Sequence, residues 1–196
     1  MAPRDLQLIA ADCPSDLVQT FAPEMYKLNH GLICGLHRRD TTLPLDAKRS
    51  IFAARTFNIS GNVATYPHKD FMNHAPNWCA ITALGRFNPD RGGHIILWEY
   101  RLIVRFPPGS TICIPSATVT HSNVQVARGE VRMSFTQYTA AGLFRWAACK
   151  FQSMQDFSKN HPEEKQRMDD SVEKRVEDGL RLYMKASDLR AMQLPG

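Results

Sequence analysis

The sequence predicts a mainly β domain, an antiparallel sandwich or jelly roll, with helices at both ends. Seven short runs rich in β-branched and aromatic residues (55–66, 79–87, 93–98, 101–106, 110–114, 117–126 and 131–141) crowd into the middle of the chain. Clusters of Gly, Pro and Asn separate them. Asn88-Pro89-Asp90-Arg91-Gly92-Gly93 and Phe106-Pro107-Pro108-Gly109-Ser110 are the clearest turns, because Pro presets φ and Gly tolerates positive φ. On either side of this region the apolar spacing changes from two residues to three or four.

In chain order, Leu17, Val18, Phe21 and Met25 recur at helical intervals after Ser15-Asp16, a plausible cap, so the spacing predicts an amphipathic helix over 15–28. His37-Arg38-Arg39-Asp40 then reads as an exposed basic loop. The β runs follow. After Trp146 the pattern becomes helical again, and Met168, Val172, Val176, Leu180 and Tyr183 predict one or two helices packing one face on the domain. Trp78, Trp98 and Trp146 read as core residues.

At 196 residues and 43% hydrophobic, the chain holds one domain with a full core and hardly two. It divides into an N-terminal helical and loop extension (1–54), a β core (55–149) and a C-terminal helical extension (150–196). No run of eighteen apolar residues occurs, and the N-terminus lacks the basic-then-apolar pattern of a secretory signal. A soluble intracellular protein with no membrane contact is expected. Cys13, Cys34, Cys79, Cys113 and Cys149 are odd in number, widely spaced and without a C-x-x-C pair, so reduced, mostly buried thiols are expected.

The net charge of +5 is unevenly distributed: residues 150–196 hold nine Lys/Arg and nine Asp/Glu, so residues 1–149 carry the whole excess. A basic β region suits a polyanionic partner. Arg38, Arg39, Lys48, Arg49 and Lys69 are the first candidates for phosphate contacts.

His68 and Asp70 stand two apart at the end of a strand-like run, where alternate side chains share a face, so both can aim inward while Lys69 points away. Alone, H-x-D recurs by chance. His121, in a later apolar run, supplies a second imidazole, and two imidazoles with one carboxylate form the facial triad of a non-haem Fe(II) oxygenase, leaving metal positions open for cosubstrate and dioxygen. Arg132, near the start of the last run, can hold a carboxylate by a two-pronged contact, and Ser134 shares its face and adds a hydroxyl donor.

His68-Lys69-Asp70-Phe71-Met72-Asn73, Gly92-Gly93-His94-Ile95-Ile96-Leu97-Trp98, Phe106-Pro107-Pro108-Gly109-Ser110, Ile114-Pro115-Ser116, His121-Ser122-Asn123 and Arg132-Met133-Ser134-Phe135-Thr136-Gln137-Tyr138 together resemble the TET/JBP family of 2-oxoglutarate-dependent DNA dioxygenases, especially its fungal branch. The resemblance spans about 58–146. It implies a double-stranded β-helix, the cupin-like jelly roll, that binds Fe(II) and 2-oxoglutarate and oxidises 5-methylcytosine in DNA to 5-hydroxymethylcytosine and beyond. His68, Asp70 and His121 match the iron ligands, and Arg132 and Ser134 match the contacts to the cosubstrate's distal carboxylate. Asn73 matches a position that hydrogen-bonds the target base, and Tyr138 an aromatic that stacks on it. Two departures stand out: Ala140 replaces a histidine of animal members, and their cysteine-rich zinc-binding segment is missing.

The resemblance also implies a partner, DNA containing methylated bases, and a nuclear location. No obligate protein partner is evident. Demethylation of N6-methyladenine by the same chemistry, as in an AlkB-like nucleic-acid demethylase, is the nearest alternative. A non-catalytic nucleic-acid-binding module of the same fold is another.

Overall fold

The computed structural model describes residues 14–44 and 50–192. Cys13, Lys48 and Arg49, singled out above, lie outside these residues.

Two helices open the described chain, where the spacing predicts one: α1 covers 14–21 and α2 covers Pro23–Arg39. The break falls at Ala22, whose φ of −151° and ψ of 63° are not helical. A residue before proline is driven out of the helical region, and Pro23, lacking an N–H, is suited to start a new helix. Met25, Asn29, Leu32, Ile33 and Leu36 form the buried stripe of α2. Burial of each large aliphatic contributes roughly 1.5–3 kcal/mol. His37, Arg38 and Arg39 are not a loop. They form the last turn of α2, where positive charge complements the helix dipole.

Eight strands follow: β1 (Ala54–Asn58), β2 (Thr65–His68), β3 (Cys79–Arg86), β4 (Ile95–Leu97), β5 (Leu102–Val104), β6 (Thr111–Ile114), β7 (His121–Asn123) and β8 (Val131–Tyr138). The predicted run 55–66 splits in two at Ser60-Gly61, because Gly61 adopts φ of +86° and turns the chain from one sheet to the other. One sheet has the order β1-β8-β3-β6 and the other β2-β7-β4-β5, with every ladder antiparallel. Consecutive strands therefore mostly alternate between sheets. This brings the end of β2, at 68, beside the start of β7, at 121.

Ile81, Ala83, Ile95, Leu97, Phe106 and Ile114 are among the side chains filling the main apolar core. A second cluster, Val18, Ala22, Met25, Ile51, Phe52 and Ala80, packs the N-terminal helices against the first sheet through Ala80 of β3. Gly93 at the end of the 88–93 turn has φ of +74°, and a Cβ there would lie 2.4 Å from the Phe87 ring. Only glycine allows the turn to lie this close to the core.

The last strand ends at Tyr138, and helix α3 (Ala141–Ala148) starts five residues before the predicted helical region. Helices α4 (Met154–Asn160), α5 (Pro162–Asp170), α6 (Val172–Leu180) and α7 (Ala186–Ala191) complete the chain. The predicted apolar stripe does not pack as a whole: Val172, Val176 and Leu180 are exposed, whereas Tyr183 joins the second cluster and its hydroxyl donates to the Pro76 carbonyl at 2.8 Å. Trp98 and Trp146 are also more exposed than expected of core residues, while Trp78 packs against Tyr183. Among the described residues no helix is long and apolar enough to cross a membrane, and Cys34, Cys79 and Cys149 are free thiols.

Candidate metal centre and anion pocket

His68 ends β2, His121 begins β7, and the two are direct partners in the antiparallel ladder. Their ring centroids are 4.3 Å apart. The loop after β2 returns Asp70 between them, with Oδ1 at 3.7 Å from His68 Nε2 and Oδ2 at 3.9 Å from His121 Nε2. One ligand atom from each of the three residues lies within 4.8 Å of the others. A gap of 53 residues, from 68 to 121, is thus closed by one strand pairing.

Both imidazoles are held in the same way. Nδ1 of His68 lies 2.8 Å from the Tyr66 carbonyl, and Nδ1 of His121 lies 3.0 Å from the Val119 carbonyl. A carbonyl only accepts, so each Nδ1 carries the hydrogen and donates it. Each Nε2 then presents a lone pair toward Asp70, the tautomer a metal ligand needs. Burial pushes the His121 pKa below the usual imidazole value, against the opposing pull of its bond to Val119. This favours the neutral, ligating form.

Asp70 is fixed through both backbone and side chain. Its N–H donates to the Ser116 carbonyl at 2.9 Å, and its carbonyl accepts from the Asn73 N–H at 2.8 Å. The Asn73 amide donates to Ser116 Oγ at 3.1 Å and to Asp70 Oδ2 at 3.4 Å. Asn73 therefore orients the carboxylate, a role its position three residues after Asp70 already allows by making a turn. Ser116 and Glu99 are site residues that the sequence reading missed. Glu99 accepts from the backbone N–H and hydroxyl of Thr120, beside His121, and its carboxylate lies 3.1 Å from Lys69 Nζ, between His68 and Asp70. No local pattern identifies either residue, since each acts across a turn between distant strands.

A cavity of about 950 Å³ opens over this cluster. All seven sequence-predicted site residues line it: His68, Asp70, Asn73 and His121 together with Arg132, Ser134 and Tyr138 on alternate positions of β8. Arg132 is 1% exposed, yet among the described residues it has no acidic partner. Its Nη1 donates to the Val63 carbonyl at 3.1 Å, and its Nε has no partner at all. Burial alone lowers its pKa from the ordinary guanidinium value. A buried cation that has an unsatisfied donor and lines a cavity is costly unless an anion enters. Ser134 Oγ accepts from Asn58 Nδ2 at 3.1 Å, which leaves the Ser134 hydroxyl hydrogen free to donate. The Tyr138 hydroxyl lies 3.4 Å from Thr56 Oγ1.

The candidate phosphate contacts are not gathered here. Arg38 Nε donates to the Cys34 carbonyl of its own helix, and Arg39 lies over the Phe151 ring at 5.3 Å. Lys69 alone of the described candidates lines the cavity.

No family model matches the chain, and no curated protein does. Among solved structures it is similar to NgTET1 in complex with 5mC DNA, at 16% identity and a TM-score of 0.44, over 53% of this chain and 39% of that one. It is also similar to a viral collagen prolyl hydroxylase, vCPH from Paramecium Bursaria Chlorella virus-1 in a 2OG complex, at 11% identity and a TM-score of 0.32, over 53% of this chain and 65% of that one. The chain thus spans less than two thirds of the length of either.

Proposed function

We propose that the protein is an Fe(II)- and 2-oxoglutarate-dependent dioxygenase that oxidises the methyl group of a methylated DNA base, 5-methylcytosine first and N6-methyladenine as a second candidate. One observation carries this reading: a His68-Asp70-His121 cluster shares its cavity with a buried, unpaired Arg132. The strand orders β1-β8-β3-β6 and β2-β7-β4-β5 support a double-stranded β-helix as the scaffold.

The residues present fit both groups. Two neutral imidazoles and a carboxylate suit ferrous iron and leave coordination positions open. The orphaned Nε of Arg132 and the free Ser134 hydrogen suit a carboxylate, which a guanidinium grips by paired charged hydrogen bonds. Ferrous iron with 2-oxoglutarate and dioxygen supplies the oxidant that hydroxylates a substrate methyl group, the cosubstrate leaving as succinate and carbon dioxide.

The chain's own contribution is binding and orientation. His68 Nε2, His121 Nε2 and the Asp70 carboxylate would hold the metal, while Arg132 and Ser134 would fix the far end of the cosubstrate. Asn73 spends its amide hydrogens on Ser116 and Asp70, so its carbonyl oxygen is the atom left to receive a substrate donor. The exocyclic amine of cytosine or adenine is such a donor. Tyr138 supplies an aromatic face in the same cavity. The base must leave its stack to reach the metal cluster. Action on chromosomal DNA would place the protein in the nucleus.

The test is incubation with Fe(II), 2-oxoglutarate and DNA carrying both methylated bases, followed by digestion and nucleoside mass spectrometry. Accumulation of 5-hydroxymethylcytosine with stoichiometric succinate supports the reading. Loss of N6-methyladenine with formaldehyde release would shift the substrate to adenine. Unchanged nucleosides without succinate would refute it.

A further inference from the structure

The turn between Asp70 and Asn73 presents two large apolar side chains to solvent: Phe71 and Met72 are each 80% exposed. Turns normally carry polar residues, and nothing in the core uses these two. Flexibility does not account for the exposure either, because backbone bonds hold the turn at both ends. The Asp70 N–H donates to Ser116, the Asn73 N–H to Asp70, and the Met72 carbonyl accepts from Ala141 at 2.9 Å. Phe71, Met72 and Ile59, itself 72% exposed, line the cavity that contains the metal cluster. These three side chains give the cavity an exposed apolar part of its lining.

The charge of this lining points the same way. Among the described residues, Lys69 and the buried Arg132 are the only Lys or Arg that line the cavity, and Lys69 is paired with Glu99. Arg38 donates through Nε to its own helix, Arg39 lies over Phe151, and neither lines the cavity. Duplex DNA is gripped chiefly through its phosphates, and extracting a paired base from it costs a few kcal/mol. An unpaired nucleotide carries no such cost and offers apolar base faces for stacking, which is tolerant of sequence. Inside the cavity, Asn73, Thr136 and Tyr138 offer polar groups for the base edge.

We infer that the preferred substrate is an unpaired methylated nucleotide in single-stranded nucleic acid, held at the cavity mouth by Phe71 and Met72 through stacking and apolar contact. This rests on the nucleic-acid reading above and adds strandedness and the residues that set it.

The experiment is fluorescence anisotropy with the full chain and a labelled oligonucleotide containing one 5-methylcytosine, as a single strand and annealed to its complement. The single strand is expected to bind at least about tenfold more tightly. Phe71→Ala with Met72→Ala should weaken it by about tenfold or more, the scale of losing one stacked base. Between about 50 and 200 mM salt its affinity should fall by far less than the roughly thousandfold or greater loss of a protein making many phosphate contacts. Equal or tighter duplex binding, an unchanged double variant, or capture of an apolar peptide in preference to both oligonucleotides would overturn the inference. Calorimetric titration of Mn(II) and 2-oxoglutarate into the same proteins separates this failure from failure of the metal-centre reading. If those ligands and the duplex bind while single strands do not, the strandedness inference alone falls; if those ligands bind and neither oligonucleotide does, the nucleic-acid reading falls with it. Both exposed side chains lie outside the core, so the double variant should retain the wild-type circular dichroism spectrum.

Discussion

Lys69 and Glu99 meet at 3.1 Å, and this contact adds a side-chain link between the two segments that the His68–His121 strand pairing already joins. Lys69 stands between His68 and Asp70, and the same carboxylate accepts two hydrogen bonds from Thr120, the neighbour of His121. Glu99 is a positioning residue: it touches no ligand atom of the cluster but restrains both segments that carry them. Removing a group bonded directly to a ligand lowers metal affinity by about 10–100-fold, and Glu99, one contact further out, should fall at the low end, about tenfold. Glu99→Ala should weaken Mn(II) binding on that scale in a calorimetric titration, and equal affinity would exclude a positioning role.

The same residue gives a pH expectation. Hydrogen bonds from Thr120, with help from Lys69, hold the Glu99 carboxyl at about 2, below its ordinary 4.5. A depressed carboxyl stabilises the fold above its unfolded value and loses that contribution as pH falls through its folded value. The latch should therefore be intact above about pH 4.5 and fail on approach to about pH 2. Acid unfolding of the wild type and Glu99→Gln, followed by circular dichroism, should converge in that window. Parallel curves at all pH values would contradict it.

Arg132 separates stability from function. A buried cation without an acidic partner destabilises the ligand-free fold, so Arg132→Met should raise stability by on the order of 1 kcal/mol in chemical denaturation. It should also abolish the stabilisation that 2-oxoglutarate gives to the metal-loaded wild type, which grows with ligand concentration by mass action. A variant that is less stable but still stabilised by 2-oxoglutarate would reverse the assignment.

Gly85 tests the packing of the sheet that carries Arg132. It has φ of +111°, and a Cβ there would sit 2.2 Å from the Val131 carbonyl oxygen. Gly85→Ala should cost about 1–3 kcal/mol from backbone conformation alone. Each 1 kcal/mol lowers Tm by about 2–4 °C in a chain of this size. An unchanged Tm would mean that β3 and β8 shift freely.

The centre of the site was legible because its signals are local. H-x-D follows from strand alternation, and Arg132 and Ser134 share a face by the same two-residue period on β8, whereas Asn73 and Tyr138 were legible only through the family resemblance. His121 required a guess about pairing, which the β2–β7 ladder supplies. Glu99 left no trace because its partners lie in other turns, and Ser116 fell within the Ile114-Pro115-Ser116 match without any sign of its contact to Asp70 and Asn73. Periodicity misled at Ala22-Pro23, where proline overrides an uninterrupted apolar spacing, and at α6, whose regular Val172-Val176-Leu180 stripe faces solvent. A stripe shows that a helix is amphipathic but does not say what covers it.

The central claim is that His68, Asp70 and His121 bind one metal ion beside an Arg132 pocket for a 2-oxo acid. Anaerobic addition of Fe(II) and then 2-oxoglutarate, followed by visible absorption, addresses it most directly, since chelation of ferrous iron by a 2-oxo acid produces a visible charge-transfer band. The band should saturate at one iron per chain, be lost in His68→Ala and Asp70→Ala, and need far more 2-oxoglutarate in Arg132→Met. No band in the wild type, or an undiminished band in the Asp70 variant, would contradict it.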